Sequence, residues 1–177
     1  MNRAIFLDRD GVINNIVLVK GLPTSPSKLE EFKILPKVRE SISILKKLNF
    51  YCFLVTNQPD VSRGKIKKET VIKMNEYVKK ELNLNDVFVC FHDDKDNCEC
   101  RKPKPGLILD ATKKWNIDLE KSYMIGDRWK DIDAGTSSGC KTILIDNNYK
   151  ESIKSKPNYI SDNLFNAVKI IEKNEKN

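Results

Sequence analysis

Two aspartates one residue apart, Asp8 and Asp10, close the short apolar run Phe6-Leu7 and lead into Gly11-Val12. Side chains alternate along a strand, so carboxylates two positions apart at a strand end point the same way. One of such a pair can attack a phosphorus centre while the other moves a proton, and a hard cation such as Mg²⁺ can sit between them. Three more polar clusters follow in order: Thr56-Asn57-Gln58, Arg101-Lys102-Pro103 and Gly126-Asp127-Arg128. Asp127 adds a third carboxylate for the cation. A hydroxyl, an amide and a lysine can neutralise and hydrogen-bond phosphate oxygens. Taken singly, each has a plain structural reading. Thr56 could end a strand, Asp127 could cap a helix, Asp131 could begin one, and Lys102 could lie in a solvated basic loop. Their joint occurrence in this order argues for a phosphate site.

A second constellation is Cys90-x-His92 followed by Cys98-x-Cys100. Three thiols and an imidazole in so short a span match tetrahedral Zn²⁺ coordination, and four protein ligands leave no open position for water. The residues between, Asp93-Asp94-Lys95-Asp96-Asn97, are too polar for a cluster of core thiols. The expectation is a structural zinc that clamps the loop delivering Arg101 and Lys102, a loop whose folding depends on the metal. Cys52 and Cys140, in strand-like surroundings, read as small core residues.

These groups need elements to hold them. Apolar runs at Ala4–Leu7, Tyr51–Thr56, Val87–Cys90, Ser122–Gly126 and Lys141–Ile145 alternate with helical patterns at about Val38–Leu48, Glu69–Leu82, Gly106–Trp115 and Asp131–Ser138. A short strand near Tyr159 and a helix from about Asn163 close the pattern. Continuous apolar strands alternating with amphipathic helices predict an α/β fold, a three-layer Rossmann-like parallel sheet covered on both faces. In such a sheet a ligand sits beyond the carboxyl ends of the strands, where all four polar clusters fall. The irregular stretch Asn14–Phe32 is too short for a further domain and long for a loop, so it reads as a minimal cap, a short lid over the substrate. Residues 1–173 are expected to form a single domain, with 174–177 as a frayed tail.

The 177 residues carry a formal charge of +7 and a pI near 9.1. That balance favours anionic partners, either phosphorylated metabolites or nucleic acid. The lysines are scattered in small clusters such as Lys46-Lys47 and Lys79-Lys80, which on helices are solvated faces. No aromatic residues interleave with them to stack bases, so nucleic acid is not the expected partner. No apolar run is long enough to span a membrane, and no signal peptide precedes Asp8. Crowded cysteines beside the one histidine do not form a disulfide framework, so the chain reads as cytoplasmic and reduced. A monomer is expected.

The order Asp-x-Asp, Thr, Lys, Gly-Asp-x-x-x-Asp resembles the haloacid dehalogenase superfamily of phosphotransferases over essentially the whole domain. The resemblance implies an Mg²⁺-dependent phosphatase in which Asp8 is the nucleophile and Asp10 the acid and then the base. It implies that Thr56 and Lys102 bind the phosphoryl group. Mg²⁺ would be held by Asp8, the backbone carbonyl of Asp10 and Asp127, with Asp131 acting directly or through water. Within the superfamily, Cys98-Glu99-Cys100-Arg101-Lys102-Pro103, Gly126-Asp127-Arg128-Trp129-Lys130-Asp131 and the segment from Thr56 to Gly64 are similar to one zinc-clamped branch. That branch includes heptose 1,7-bisphosphate 7-phosphatases and histidinol-phosphate phosphatases, with the heptose enzymes the nearer. By that similarity Asn57, Gln58, Arg101 and Arg128 are substrate contacts, and the substrate is a small phosphorylated sugar on the route to nucleotide-activated heptose. Two guanidinium groups suit a bisphosphate. Arg63 could be a further contact, although a helix-preceding surface charge is the preferred reading. The segment Asn14–Gly21 departs from the Asp-x-Gly-Tyr substrate loop of the best-known heptose enzymes, which leaves the sugar and its anomer open. Histidinol phosphate is the first alternative substrate. A polynucleotide 3′-phosphatase and a non-catalytic zinc-stabilised binding module follow.

Overall fold

Strand β1 (Ala4–Leu7), the strand that ends in Asp8, lies inside a six-stranded sheet between β4 (Tyr51–Asn57) and β6 (Tyr123–Gly126). Beyond β4 lies β5 (Asp86–Cys90), and beyond β6 lie β7 (Lys141–Ile145) and β8 (Tyr159–Ser161). The computed structural model describes residues 1–19, 22–149, 152 and 154–176. Every pairing in this sheet is parallel, with Phe6 in register with both Phe53 and Met124. Parallel neighbours need crossover connections, and helices lie in those between β1, β4, β5, β6 and β7. They are α1 (Val38–Lys47), α2 (Lys68–Glu81), α3 (Gly106–Trp115) and α4 (Trp129–Ser138), with α5 (Leu164–Glu175) after the last strand.

The strands are apolar on both faces because both are covered. Ile5, Leu7, Leu54, Ile125, Ile143 and Ile145 pack with the apolar stripes of α1, α2 and α5. Their alternating neighbours Phe6, Phe53, Val55 and Met124 pack with α3 and α4. The result is the three-layer α/β arrangement expected. The chain builds outward from β1 through β4 to β5, then returns to the other side of β1 at β6. Ligand sites in such sheets lie at that reversal, outside the carboxyl ends of the strands.

Three details differ from the expectation. Helix α4 begins at Trp129, two residues early, because the Asp131 carboxylate reaches back and accepts the Arg128 backbone N–H at 3.0 Å. The stretch Asn14–Phe32 is not simply irregular. It contains an antiparallel pair, β2 (Val17–Val19) and β3 (Leu22–Thr24), and a 3₁₀ turn at Leu29–Glu31. The β-branched residues in Val17-Leu18-Val19 favour extended backbone. Asn15 closes the base of this excursion, donating to Glu31 O and accepting from Lys33 N. Finally, α5 runs through Glu175 into the segment expected to fray, where Glu175 ion-pairs with Arg3. Among the described residues no helix is long and apolar enough to cross a membrane, and all five cysteines are free.

Candidate active site

Beyond β1 the chain turns tightly, with Arg9 O accepting from the backbone N–H of Ile13 and Asn14 and Gly11 N–H donating to Asn14 O. Gly11 sits at φ +82°, and a Cβ there would fall 2.0 Å from Asp127 Oδ2. Glycine is required twice over, for the left-handed backbone and for the close approach of the β1 and β6 loops. Gly126 plays the second role alone, since a Cβ there would meet Asp131 at 2.1 Å.

This approach collects three carboxylates. One oxygen each of Asp8, Asp127 and Asp131 lies within 4.8 Å of the others. Lys102 faces them, buried, with Nζ 2.8 Å from Asp8 Oδ1, 2.6 Å from Asp131 Oδ1 and 2.8 Å from Val55 O. One ammonium does not balance three carboxylates. Burial and the Asp131 charge push Asp8 up to about 6 against the pull of Lys102. Burial, with Asp8 and Asp131 beside it, holds Asp127 well above the usual carboxylate range. Asp127 Oδ1 is buried without a hydrogen-bond partner, while Oδ2 accepts from Asn147 Nδ2 at 3.2 Å. Crowded carboxylates with an unpartnered oxygen are the donor set of a hard divalent cation, so these residues fit Mg²⁺.

The Asp10 side chain stands outside that cluster. Its oxygens accept from Asn14 Nδ2 (2.9 Å), Ser25 Oγ (2.8 Å), Gln58 Nε2 (2.9 Å) and the Arg9 guanidinium (3.2 Å). Burial opposes its ionisation, but Arg9 and these donors hold it below the ordinary carboxylate value. Any part it takes in holding a metal therefore falls to its backbone carbonyl. Arg9 itself has no exposed surface and also donates to Asn75 Oδ1 at 2.9 Å and Gln58 Oε1 at 3.0 Å.

Thr56 is the penultimate residue of β4, and its buried hydroxyl accepts from Gln58 Nε2 at 2.9 Å. The Asn57 amide brackets the Lys102 backbone, donating to its C=O at 2.9 Å and accepting from its N–H at 3.1 Å. Asn57 and Gln58, expected at the substrate, thus turn their side-chain groups to protein partners, although both border the cleft.

The loop carrying Arg101 and Lys102 starts from the cysteine cluster. Cys90, Cys98 and Cys100 Sγ atoms are 3.1–3.6 Å apart, and His92 Nδ1 is 3.5 Å from Cys90 Sγ and 3.4 Å from Cys100 Sγ. A zinc with bonds of roughly 2.3 Å to sulfur and 2.0 Å to nitrogen would place such donors about 3.5–3.8 Å apart. The set is close to that tetrahedron and suits zinc. Residues Asp94–Asp96 form a 3₁₀ turn, and Arg63 forks onto Asp93 with bonds of 2.8 and 2.6 Å. Arg63 is therefore neither a loose surface charge nor a free substrate contact; it pins the cysteine loop to the loop after β4.

Together the strand ends enclose a cleft of about 340 Å³. Its wall carries Arg63, Lys65, Arg101, Lys102, Arg128 and Lys130, and the β2–β3 excursion contributes Pro23, Thr24 and Ser25. Arg101 is anchored through Nε to Asp94 and through Nη1 to His92 O. Arg128 lies over the Tyr149 ring at 5.6 Å, and the Tyr149 hydroxyl bonds to Asp127. Sequence reasoning missed Arg9, Ser25, Asn147, Tyr149 and Lys130. Only Arg9 left a signal, as a charge between two site aspartates after a fully apolar strand.

Known proteins resemble this chain along most of its length. The family model described as HAD-hydrolase-like matches residues 99–167. A D-glycero-beta-D-manno-heptose-1,7-bisphosphate 7-phosphatase of Helicobacter pylori is 38% identical over 150 residues, covering 81% of this chain and 83% of that protein. A D-glycero-alpha-D-manno-heptose-1,7-bisphosphate 7-phosphatase of Campylobacter jejuni is 32% identical over 154 residues, covering 84% and 85%. The crystal structure of a D,D-heptose 1,7-bisphosphate phosphatase from B. bronchiseptica, complexed with magnesium and phosphate, shares the fold. Its TM-score is 0.82 over 97% of this chain and 99% of that one, at 24% identity.

Proposed function

The chain belongs to the family of D-glycero-D-manno-heptose-1,7-bisphosphate 7-phosphatases, and from that premise we propose that it removes the 7-phosphate of such a bisphosphate through an aspartyl-phosphate on Asp8. The observation that carries the reading is the meeting of Asp8, Asp127, Asp131 and Lys102 at the floor of one cation-walled cleft.

In the first step an Asp8 oxygen bonds to phosphorus as the ester P–O bond breaks. Asp10, ionised in the free site, takes up a proton as the anionic substrate arrives and gives it to the departing sugar oxygen. In the second step Asp10 takes a proton from water as that water attacks phosphorus, and Asp8 is released with inorganic phosphate. Four donor residues around Asp10 fix its direction, so the same carboxyl can serve both half-reactions. Lys102 neutralises the phosphoryl oxygens, and the Thr56 hydroxyl is a further donor to them. Asp8, the Asp10 backbone carbonyl and Asp127 would hold Mg²⁺, with Asp131 direct or through water, and the ion's part is to offset charge between carboxylate and phosphoryl oxygens. Arg101 and Arg128 are the proposed partners of the phosphate that does not react. Zinc at Cys90, His92, Cys98 and Cys100 is structural in this reading. A cytoplasmic, reducing location would keep those thiols available to it.

The test is Mg²⁺-dependent phosphate release from both anomers of heptose 1,7-bisphosphate, fructose 1,6-bisphosphate, histidinol phosphate and a 3′-phosphorylated oligonucleotide, with D8N as control. A preference of about 100-fold, or about 2.7 kcal/mol of transition-state binding, is expected for one heptose anomer. Preferred hydrolysis of histidinol phosphate would reassign the substrate and leave the chemistry standing. Turnover by D8N would remove the nucleophile assignment.

A further inference from the structure

Asp94 joins two cations of the cleft wall that lie far apart in the chain. Its Oδ1 accepts from Arg101 Nε at 2.8 Å and from Lys130 Nζ at 3.1 Å. Their immediate neighbours make the parallel contact one layer deeper, since Lys102 Nζ is 2.6 Å from Asp131 Oδ1. Two successive rungs therefore link the cysteine loop to the first turn of α4. The inner rung is buried and faces the nucleophile Asp8. The outer rung, Arg101 and Lys130 across Asp94, borders the cleft, with the Lys130 side chain 27% exposed.

Charge balance separates Lys130 from Arg63 and Lys65, two other cations of the wall. Arg63 is matched by two carboxylates, Asp93 and Asp60, and has little charge left to offer. Lys65 is 66% exposed and keeps only a 3.8 Å contact with Asp60, so water screens it. Arg101 and Lys130 share the single carboxylate of Asp94, which leaves a net positive charge on that rung. Lys130 has three N–H donors, and Asp94 takes one. Because Asp94 already fixes the ammonium beside Arg101, little side-chain freedom remains to be lost when an anion arrives. Asp8, Arg101 and Lys130 line the same cleft, so a substrate with one phosphate at Asp8 has this rung on the wall beside it.

We infer that Lys130, anchored by Asp94 beside Arg101, is a specificity-determining contact for the second, non-reacting phosphate of a sugar bisphosphate. The inference rests on the bisphosphate reading of the site. Its test compares kcat/KM for heptose 1,7-bisphosphate and heptose 7-phosphate in the wild-type protein, K130Q and K130R. In K130Q the bisphosphate-to-monophosphate ratio should fall about tenfold, equivalent to about 1.4 kcal/mol, with the larger part in KM for the bisphosphate. K130R, which keeps the charge, should recover most of that ratio. A ratio in K130Q equal to wild type, or a K130R as impaired as K130Q, overturns the contact. A wild-type protein without bisphosphate preference would instead overturn the functional reading itself, and that outcome is visible before any variant is made.

Discussion

Lys102 and Asp131 form a buried ion pair, 2.6 Å from Nζ to Oδ1, with side chains 3% and 2% exposed. Its remaining short contacts, to Asp8 and to the Val55 carbonyl, give one ammonium three oxygen partners. The same lysine is thus the main counter-charge to a carboxylate cluster and the proposed partner of the phosphoryl group.

K102M should therefore cost both stability and turnover. Removing one partner of a buried pair typically destabilises by about 3–5 kcal/mol, because the other charge is left unmatched. Denaturant melts without divalent cations should show a loss of that order, partly restored by Mg²⁺, and kcat/KM should drop by about 1000-fold or more. An unchanged melt in metal-free buffer would mean that the three carboxylates do not depend on Lys102.

Arg9 supports the site from below. It is fully buried and donates to Asp10, Gln58 and Asn75, with its guanidinium 5.5 Å from the Phe32 ring. R9M preserves much of the volume but leaves those acceptors unmet, at a cost of about 3 kcal/mol. Because Asp10 loses its main counter-charge, kcat should fall by at least about tenfold, more than KM rises. A variant that melts early but keeps wild-type kcat would limit Arg9 to a structural part.

Purified protein should contain about one zinc per chain, held by Cys90, His92, Cys98 and Cys100. Stripping it should lower Tm more than stripping Mg²⁺. The loss should appear in hydrogen exchange over residues 91–104, the loop that the proposed zinc would hold closed. Atomic absorption finding almost no zinc in fresh protein would refute the clamp.

Asp86 sets an acid limit on stability. Burial alone would raise its pKa, but bonds from Lys114, Trp115, the Val87 N–H and Lys79 win and hold it down to about 2 from 3.8. A depressed folded-state pKa adds stability above the unfolded value, and that stability is lost as pH falls through the folded value. Urea melts should show wild type more stable than D86N by on the order of 1–2 kcal/mol at pH 7. The gap should close between about pH 4 and pH 2. A pH-independent gap would assign the difference to packing.

The order of the large sheet's strands and of the helices along the chain, the Asp8/Asp10 pair, the polar clusters at four strand ends and the Cys₃His set were legible in the sequence, whereas the β2–β3 pair was not. Each is written in neighbouring residues, where the spacing of apolar positions and of donor atoms is itself the signal. Two sequence-level assignments met a different geometry. Asn57 and Gln58 hold the Lys102 loop and the Asp10 carboxylate rather than presenting free amides, and Asp10 faces Arg9 instead of the carboxylate cluster. Which groups share a partner was decided only by tertiary structure. Asp94, Arg101 and Lys130 meet at one oxygen, as do Arg9 and Gln58 at another, because parallel β-strands bring distant strand ends into one row. No local pattern encodes that meeting. It follows from the order of the strands across the sheet, which depends on how the two apolar faces are covered rather than on any short segment of the chain.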